Sequence, residues 1–228
     1  MALILNLETA TTMCSVALAR DGHVVALKEQ SGGYSHSENL GTYIQEVLAS
    51  EDISPEQLDA VSVSKGPGSY TGLRIGASMA KGLCYSNNIP LMSVSTLKSM
   101  ANMIRSDFDG DSWLCPMIDA RRMEVYSAIF TSDLVIKKDI SADIIEKGIY
   151  DQYLENETVV FFGDGALKCK ELLDHPNAIF VEDKEPSAES MASLSEEAFQ
   201  SGTFEDTAYF EPYYLKEFVA IKAKNPLA

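Results

Sequence analysis

Residues 3–28 read LILNLETATTMCSVALARDGHVVALK, and three β-rich runs follow one another within them. The runs cover residues 3–7, 14–19 and 23–28. The dipeptide Asp21-Gly22 is typical of tight hairpin turns, and it directly precedes the third run. Because short turns join antiparallel neighbours, the sequence predicts that the chain opens with a β-meander.

The second half of the chain repeats this order of runs. Its predicted strands are Leu114 to Ile118, Glu124 to Thr131 and Leu134 to Lys138, with a turn at residues 119–122 between the first two. The polar segment at residues 106–112 predicts a domain boundary between the halves. We therefore expect a duplicated α/β fold with an N-terminal lobe, residues 1–105, and a C-terminal lobe, residues 106–228.

Helical and strand patterns alternate behind each meander. The predicted helices are residues 38–49, a short one behind Ser54, Leu73 to Asn87, Thr96 to Ile104, Leu167 to Leu173 and Ser187 to Gln200. Further strands are predicted at Ala60 to Ser64, Pro90 to Val94 and Thr158 to Phe162. Ser35 and Glu38 form a capping box for the first helix. The polar tail, residues 216–228, is predicted to fray.

Charge and composition exclude several classes of protein. The 228 residues include 18 Lys and Arg against 34 Asp and Glu, so the net charge is −16. Such a polyanion binds RNA or an anionic membrane poorly, so a role on nucleic acid requires a partner that supplies positive charge. No apolar run approaches the roughly 18 residues of a membrane span, which excludes a transmembrane protein.

The cysteines indicate a reducing compartment, and the spacing of the histidines argues against a zinc site. The cysteines stand at positions 14, 84, 115 and 169, without a Cys-x-x-Cys pair. The N-terminal residues have no basic leader, so we expect free thiols in a reducing, cytoplasmic environment. No two of the three histidines are four residues apart, so a helical His-pair zinc site is not predicted. His36 is expected to make a structural hydrogen bond at a helix start.

The sharpest motif is Gly66 to Gly76, GPGSYTGLRIG. It is not a P-loop, because no Gly-Lys-Ser/Thr follows, and Thr71 breaks the dinucleotide pattern Gly-x-Gly-x-x-Gly. Two interpretations are open: its backbone N–H groups and Arg74 bind an anion, or its glycines allow close packing at a strand-to-helix turn. The motif residues that we single out are Gly66, Pro67, Gly68, Ser69, Tyr70, Thr71, Gly72 and Arg74.

Two predicted helices are candidates for docking a partner subunit. Gly72, Gly76 and Ala80 recur four residues apart, a spacing that lets two backbones approach closely. The close neighbour is either a second subunit or the chain's own sheet. The apolar face of the helix behind Ser35 suits a core and an interface equally. The candidate contact residues are Leu40, Tyr43, Ile44, Val47, Leu73, Gly76, Ala77 and Ala80.

Two short patterns in the second half support further hypotheses. The turn Gly163-Asp164-Gly165 suits the adenosine side of a nucleotide site, and it equally suits an ordinary strand-to-helix turn. Arg121-Arg122 is the only adjacent arginine pair in the sequence. Such a pair can contact a carboxylate or a phosphate of a partner, or it can simply form a solvated hairpin turn. Neither pattern identifies a function by itself.

The glycine motif and several shorter motifs together resemble the TsaB family, also called YeaZ. The shorter motifs are residues 7–18, LETATTMCSVAL; residues 35–38, SHSE; residues 119–126, DARRMEVY; and residues 212–216, PYYLK. The resemblance runs from residue 3 to about residue 216, nearly the whole chain. It implies an actin/Hsp70/sugar-kinase-like fold. It also implies a role in making threonylcarbamoyladenosine beside the anticodon of tRNA.

The resemblance also implies partners. In that system the related subunit TsaD carries the chemistry, TsaE is an ATPase, and another enzyme makes threonylcarbamoyl-adenylate. The implied assembly is a heterodimer with TsaD through the two candidate helices, joined by TsaE, or a homodimer when TsaD is absent. Contact with tRNA is implied only through the complex. ATP and a divalent metal are expected on partner subunits, and no cofactor on this chain alone.

Comparison with TsaD predicts that this chain is not a catalyst. TsaD holds its metal with His-x-x-x-His, and the matching positions here are Thr96 and Met100, which cannot replace two imidazoles. TsaD also has an Asp in its first hairpin turn, where this chain has Thr12. The rival hypothesis is an ATP-dependent small-molecule kinase of the same superfamily. The first hairpin lacks the superfamily's phosphate-loop glycine and carries the negatively charged Glu8, and both features argue against a kinase. A peptidase is a third possibility, but the sequence shows no Ser/His/Asp arrangement that supports it.

Overall fold

The computed structural model describes residues 2–32, 36–108, 110 and 112–216, and in them two five-stranded sheets. The first sheet contains β1 (Leu3–Glu8), β2 (Cys14–Arg20), β3 (His23–Gln30), β4 (Ala60–Ser64) and β5 (Leu91–Val94), in the order β3-β2-β1-β4-β5. Strands β1 to β3 form the antiparallel meander, whereas β4 and β5 join it in parallel. The meander predicted at the start of the chain is confirmed.

The second sheet repeats this arrangement. Its strands are β6 (Trp113–Asp119), β7 (Glu124–Phe130), β8 (Ile136–Ile144), β9 (Val159–Phe162) and β10 (Ala178–Val181), in the order β10-β9-β6-β7-β8. Strands β6 to β8 are antiparallel neighbours, and β9 and β10 extend the sheet in parallel. The matched order of connections confirms the predicted duplication.

The helices of the described residues alternate with the strands. They are α1 (His36–Ser50), α2 (Tyr70–Asn87), α3 (Thr96–Ile104), α4 (Asp151–Leu154) and α5 (Ala192–Gln200), with 3-10 turns at Pro55–Gln57, Leu167–Cys169 and Glu189–Met191. Ser69 and Ser95 cap α2 and α3 by accepting hydrogen bonds from the backbone N–H groups of Gly72 and Lys98. The capping box predicted at Ser35 and nearly all of the tail predicted to fray lie outside the described residues.

Three predicted elements of the second half were wrong in their extent. The helix predicted over residues 167–173 is a 3-10 turn at Leu167–Cys169 followed by turns. The helix predicted from Ser187 begins as the 3-10 turn Glu189–Met191 and becomes α-helical only at Ala192. Strand β8 starts at Ile136, because Leu134 lies in the preceding turn with a left-handed φ of 61°. The four-residue elements α4 and β10 were not predicted, since so short a segment shows no period.

Each sheet is covered partly by a helix from the other half of the chain. Helices α1 and α2 pack on one face of the first sheet. Its other face is covered by Met191 and Leu194, which pack with Ala17 and Val94. In exchange, α3 packs against the second sheet through Leu97, Met100, Ala101 and Ile104. The boundary predicted at residues 106–112 falls between α3 and β6, and packing crosses it in both directions.

Buried hydroxyl and amide groups fix this exchange. The Ser195 Oγ of α5 donates to Asn6 Oδ1 at 2.5 Å and lies 2.9 Å from Ser62 Oγ, so it ties α5 to β1 and β4. Ser99 and Ser190 hydroxyls meet at 2.7 Å between α3 and the turn before α5. A buried polar group is costly when it lacks a partner, so these contacts specify one arrangement of the two halves. Of the helices in the described ranges, none has the length and apolarity that crossing a membrane requires.

Candidate functional site

The glycine motif packs against the turn of the first hairpin. The N–H of Ser69 donates to the carbonyl oxygen of Ala10 at 2.6 Å, and Thr9 Oγ1 donates to the carbonyl oxygen of Gly72 at 2.9 Å. A Cβ on Gly72 would lie 2.1 Å from the Thr9 carbonyl oxygen, and a Cβ on Gly76 would lie 2.4 Å from Thr9 Oγ1. Any side chain at these positions collides with the hairpin. The packing interpretation therefore accounts for these two glycines of α2.

The start of the same motif joins two further segments. Gly66 has a φ of 101°, and a Cβ there would lie 2.9 Å from the carbonyl oxygen of Tyr213. The Gly66 carbonyl accepts a hydrogen bond from Thr96 N at 3.1 Å, and the Lys65 carbonyl accepts one from Tyr213 N at 2.7 Å. The left-handed backbone and the close neighbour both favour glycine. The motif is thus a junction of the hairpin, α3 and the segment near Tyr213.

Glu8 fills the hairpin turn from inside. Its carboxyl is fully buried, and Oε1 accepts hydrogen bonds from Ala10 N at 2.6 Å and from Ser64 Oγ at 2.7 Å. Oε2 has no partner within the described part of the chain. Burial raises the pKa of Glu8 to about 7, against the smaller opposing effect of these hydrogen bonds. The Ala10 N–H is therefore already engaged within the chain.

His36 and Arg74 lie in different surroundings, one buried and one exposed. The His36 ring is buried, and its Nε2 lies 2.8 Å from the Thr11 carbonyl oxygen, which confirms the predicted structural hydrogen bond. Arg74 is exposed on the outside of α2, with its guanidinium 5.5 Å from the centre of the Tyr70 ring. The Tyr70 ring in turn contacts Tyr214 at 4.9 Å between centroids. Arg74 therefore belongs to the outer surface of this helix.

An apolar groove runs along the outer surface of α2 beside the start of α1. Its volume is about 650 Å³, and its apolar residues Ile75, Met79 and Leu83 are only partly covered by the core. The remaining lining residues are Ser37, Tyr70, Thr71, Arg74, Ser78 and Gly82. A Cβ on Gly82 would meet no atom within 4 Å, so the groove is open at this residue. An open apolar groove of this kind is the surface on which a partner helix can pack.

The contact residues that the sequence predicted lie mostly in the interior of this chain. Seven of the eight candidates, from Leu40 to Ala80, are at most 7% exposed side chains of the chain's own core, and Gly76 is buried against Thr9. Of the small-residue stripe, Gly72 and Gly76 therefore approach the chain's own hairpin, and Ala80 is buried in the core of this chain. The sequence did contain the missed signal, because Ile75, Met79 and Leu83 recur every four residues on another face of α2.

The glycine turn of the second half packs on β6. A Cβ on Gly163 would lie 2.4 Å from the Met117 carbonyl oxygen, and one on Gly165 would lie 2.9 Å from the carbonyl carbon of Ile118. Asp164 Oδ1 accepts a hydrogen bond from the backbone N–H of Asp119 at 3.0 Å. These contacts explain the Gly-Asp-Gly pattern as an ordinary packed turn, the second of the two interpretations.

The two positions that the sequence analysis compared with metal ligands lie in the interior. Thr96 and Met100 are fully buried at the start of α3, and Met100 packs against the second sheet. In the described ranges, no three His, Cys, Asp or Glu side chains are grouped to hold a metal ion. The four cysteines are free, as the sequence predicted, and all four are buried. Burial raises the pKa of Cys14 and Cys84 to about 11, so these thiols stay protonated at neutral pH.

Comparisons with known proteins agree with this geometry. A family model described as "TsaD: tRNA N6-adenosine threonylcarbamoyltransferase" matches residues 26–224. The tRNA threonylcarbamoyladenosine biosynthesis protein TsaB of Escherichia coli (strain K12) is 32% identical over 233 residues, covering 96% of each chain. The Bacillus subtilis (strain 168) protein of the same name is 37% identical over 127 residues, 56% of this chain and 54% of its own length.

Solved structures show the same fold. A Pseudomonas aeruginosa protein, described as uncharacterized with similarity to peptidase YEAZ, superimposes with a TM-score of 0.84 at 24% identity, over 95% of this chain and 100% of its own. YeaZ from Pseudomonas aeruginosa superimposes with a TM-score of 0.78 at 23% identity, over 94% and 100%. The duplicated sheets define a two-lobed α/β protein with the fold of YeaZ. Within that class, the chain belongs to the TsaB family.

Two glycines of α2 provide a matched test of the packing at the hairpin. Gly76→Ala should lower the free energy of unfolding by about 1–3 kcal/mol, because its Cβ would collide with Thr9. Gly82→Ala, in the same helix with open space around it, should raise stability by up to about 1 kcal/mol. Urea denaturation of both variants measures the difference. Equal shifts in the two variants would contradict the close contact.

The buried Glu8 should make stability depend on pH. Its pKa is raised from 4.5 to about 7, so the folded state binds the proton more tightly than the unfolded state. The stability that protonation confers is complete below pH 4.5 and is lost as the pH rises to about 7. Relative to Glu8→Gln, the wild type should lose about 3 kcal/mol across this interval. Parallel denaturation profiles of the two proteins between pH 4.5 and 7 would contradict this.

Proposed function

We propose that this chain is the non-catalytic partner subunit that TsaD requires for threonylcarbamoyl transfer to the adenosine next to the tRNA anticodon. Family membership supports the pathway, since the relatives are named for threonylcarbamoyladenosine biosynthesis. The family model that matches residues 26–224 is named for the transferase, which supports descent from the catalytic subunit. The proposal adds that this chain acts by binding that subunit.

One observation supports the non-catalytic role most strongly. The positions where a related enzyme would hold its reactants are filled by side chains of this chain. Glu8 occupies the hairpin turn and engages the N–H of Ala10. Thr96 and Met100 stand in the interior, where the resemblance places the metal ligands of TsaD. An oxygen and a thioether in a packed core are poor substitutes for two imidazoles. ATP and the divalent metal accordingly belong on the partner subunits, and the same filling argues against the rival kinase.

The groove on α2 is the proposed docking surface for TsaD. Its apolar residues Ile75, Met79 and Leu83 offer the uncharged centre that a protein interface needs, and Arg74 and Ser78 offer polar contacts. A second copy of this chain would use the same groove when TsaD is absent, so homodimer and heterodimer compete. TsaE joins through the TsaB–TsaD complex in the cytoplasm. With a net charge of −16, this chain meets tRNA only in the complex.

Filling the groove tests the docking surface. Gly82→Trp places an indole into the open groove without displacing any atom within 4 Å of the Cβ. It should weaken binding to TsaD at least ten-fold, because the added ring occupies the space that the partner needs. Leu167→Trp, a partly exposed position in the second half, adds the same ring elsewhere and is the matched control. Isothermal titration with purified TsaD measures both affinities.

The melting temperatures of both variants establish that they remain folded. If the folded Gly82→Trp protein binds TsaD as tightly as the control does, the docking surface lies elsewhere. If the wild type itself does not bind TsaD under any condition in which both proteins are folded, the proposed function is wrong.

A further inference from the structure

The hairpin between β6 and β7 ends in two arginines with an unusual backbone. Arg121 and Arg122 have φ angles of 70° and 53°, so two successive non-glycine residues adopt the left-handed conformation. This conformation is unfavourable for a side chain with a Cβ, and two in a row are rarer still. Hydrogen bonds from Ala120 N to the Glu124 carbonyl and from Glu124 N to the Arg121 carbonyl close the turn. Both arginine side chains are exposed.

A network of polar contacts from Asp119 and Lys168 holds the backbone of this turn. The N–H of Arg121 donates to Asp119 Oδ1 at 2.9 Å. The ammonium group of Lys168 contacts the Asp119 carboxylate, and it donates to the carbonyl oxygens of Arg122 at 2.8 Å and Glu124 at 2.7 Å. The backbone N–H of Asp119 also donates to the carboxylate of Asp164, which fixes the position of Asp119. The glycine turn at residues 163–165 is therefore linked, through Asp164 and Asp119, to the turn that carries Arg121 and Arg122, here called the arginine turn.

The arginine side chains themselves are left free. Neither guanidinium makes a hydrogen bond or an ion pair with any residue in the described ranges, whereas the two nearby lysines are engaged. Lys168 is bound within the turn, and Lys216 forms an ion pair with Glu124. In a chain with a net charge of −16, four of the 18 basic residues therefore gather at one hairpin. Lys168 and Lys216 are each paired with a carboxylate, so the unpaired guanidiniums of Arg121 and Arg122 are the groups of this turn that can attract an anion.

We propose that Arg121 and Arg122 contact phosphates of the tRNA backbone in the assembled complex, an inference that rests on the proposed function. Adjacent guanidiniums suit successive phosphates of one strand, and arginine binds phosphate through two parallel N–H donors. An acidic protein segment is the other class of ligand for such a pair. The RNA is favoured because the chain already offers a separate apolar groove for a protein partner.

The test uses the complex of this chain with TsaD and a fluorescently labelled, unmodified tRNA. In the test variant Arg121→Asn/Arg122→Asn both charges are removed, and asparagine tolerates the left-handed backbone of the turn. The matched control, Arg20→Gln/Arg105→Gln, also removes two positive charges from exposed positions. Fluorescence anisotropy over a series of salt concentrations measures the affinity for tRNA. Size-exclusion chromatography measures assembly with TsaD.

The expected result is that the test variant assembles normally but binds tRNA about ten- to thirty-fold more weakly at 0.15 M salt. The slope of log affinity against log salt should fall by about 2, while the control keeps both values. Arg121→Lys/Arg122→Lys should recover most of the slope. Unchanged tRNA binding by the assembled test variant overturns the arginine contact and leaves the docking to TsaD intact. Loss of assembly in that variant means that the pair binds protein, and failure of the wild type to assemble overturns both proposals.

Discussion

The contact between α2 and the first hairpin turn positions the rest of the N-terminal lobe. Gly72 and Gly76 touch Thr9 at distances that no side chain permits, so the axis of α2 lies as near to the turn as backbone atoms allow. Residues on the other side of the helix are fixed by this approach, since a helix repeats its faces every three to four residues. The hairpin contact therefore places Met79 and Leu83 at the surface, where they line the groove.

The same hairpin contact leaves little free space at the turn. The turn is filled by Glu8 from within and by the glycines of α2 from outside. Farther along, the exchange of α3 and α5 between the sheets packs Met100 into the second core and ties Ser195 to Asn6. Cores packed in this way resist relative movement of their parts. These contacts hold the two halves of the chain in one arrangement.

The sequence predicted the fold better than it predicted the surfaces. Strand periods identified both meanders, and the Asp21-Gly22 turn identified a hairpin of the first, because alternation and turn chemistry are local properties. The small-residue stripe at Gly72, Gly76 and Ala80 indicated a close approach, but only the tertiary structure shows that the neighbour is Thr9. The arginine turn was visible as a charge pattern. Its support by Lys168 and Asp164 was not, since residues more than 40 positions apart meet there.

Hydroxyl-radical footprinting tests most directly whether α2 carries the proposed docking surface for TsaD. This method compares side-chain oxidation in the free chain with that in the complex with TsaD. The account predicts that Met79 and Leu83 become protected in the complex, while Leu167 and Leu172 on the second half keep their reactivity. The contradicting result is unchanged oxidation of Met79 and Leu83, with protection instead at the exposed apolar residues along the β8 edge, Val135, Ile136 and Ile144.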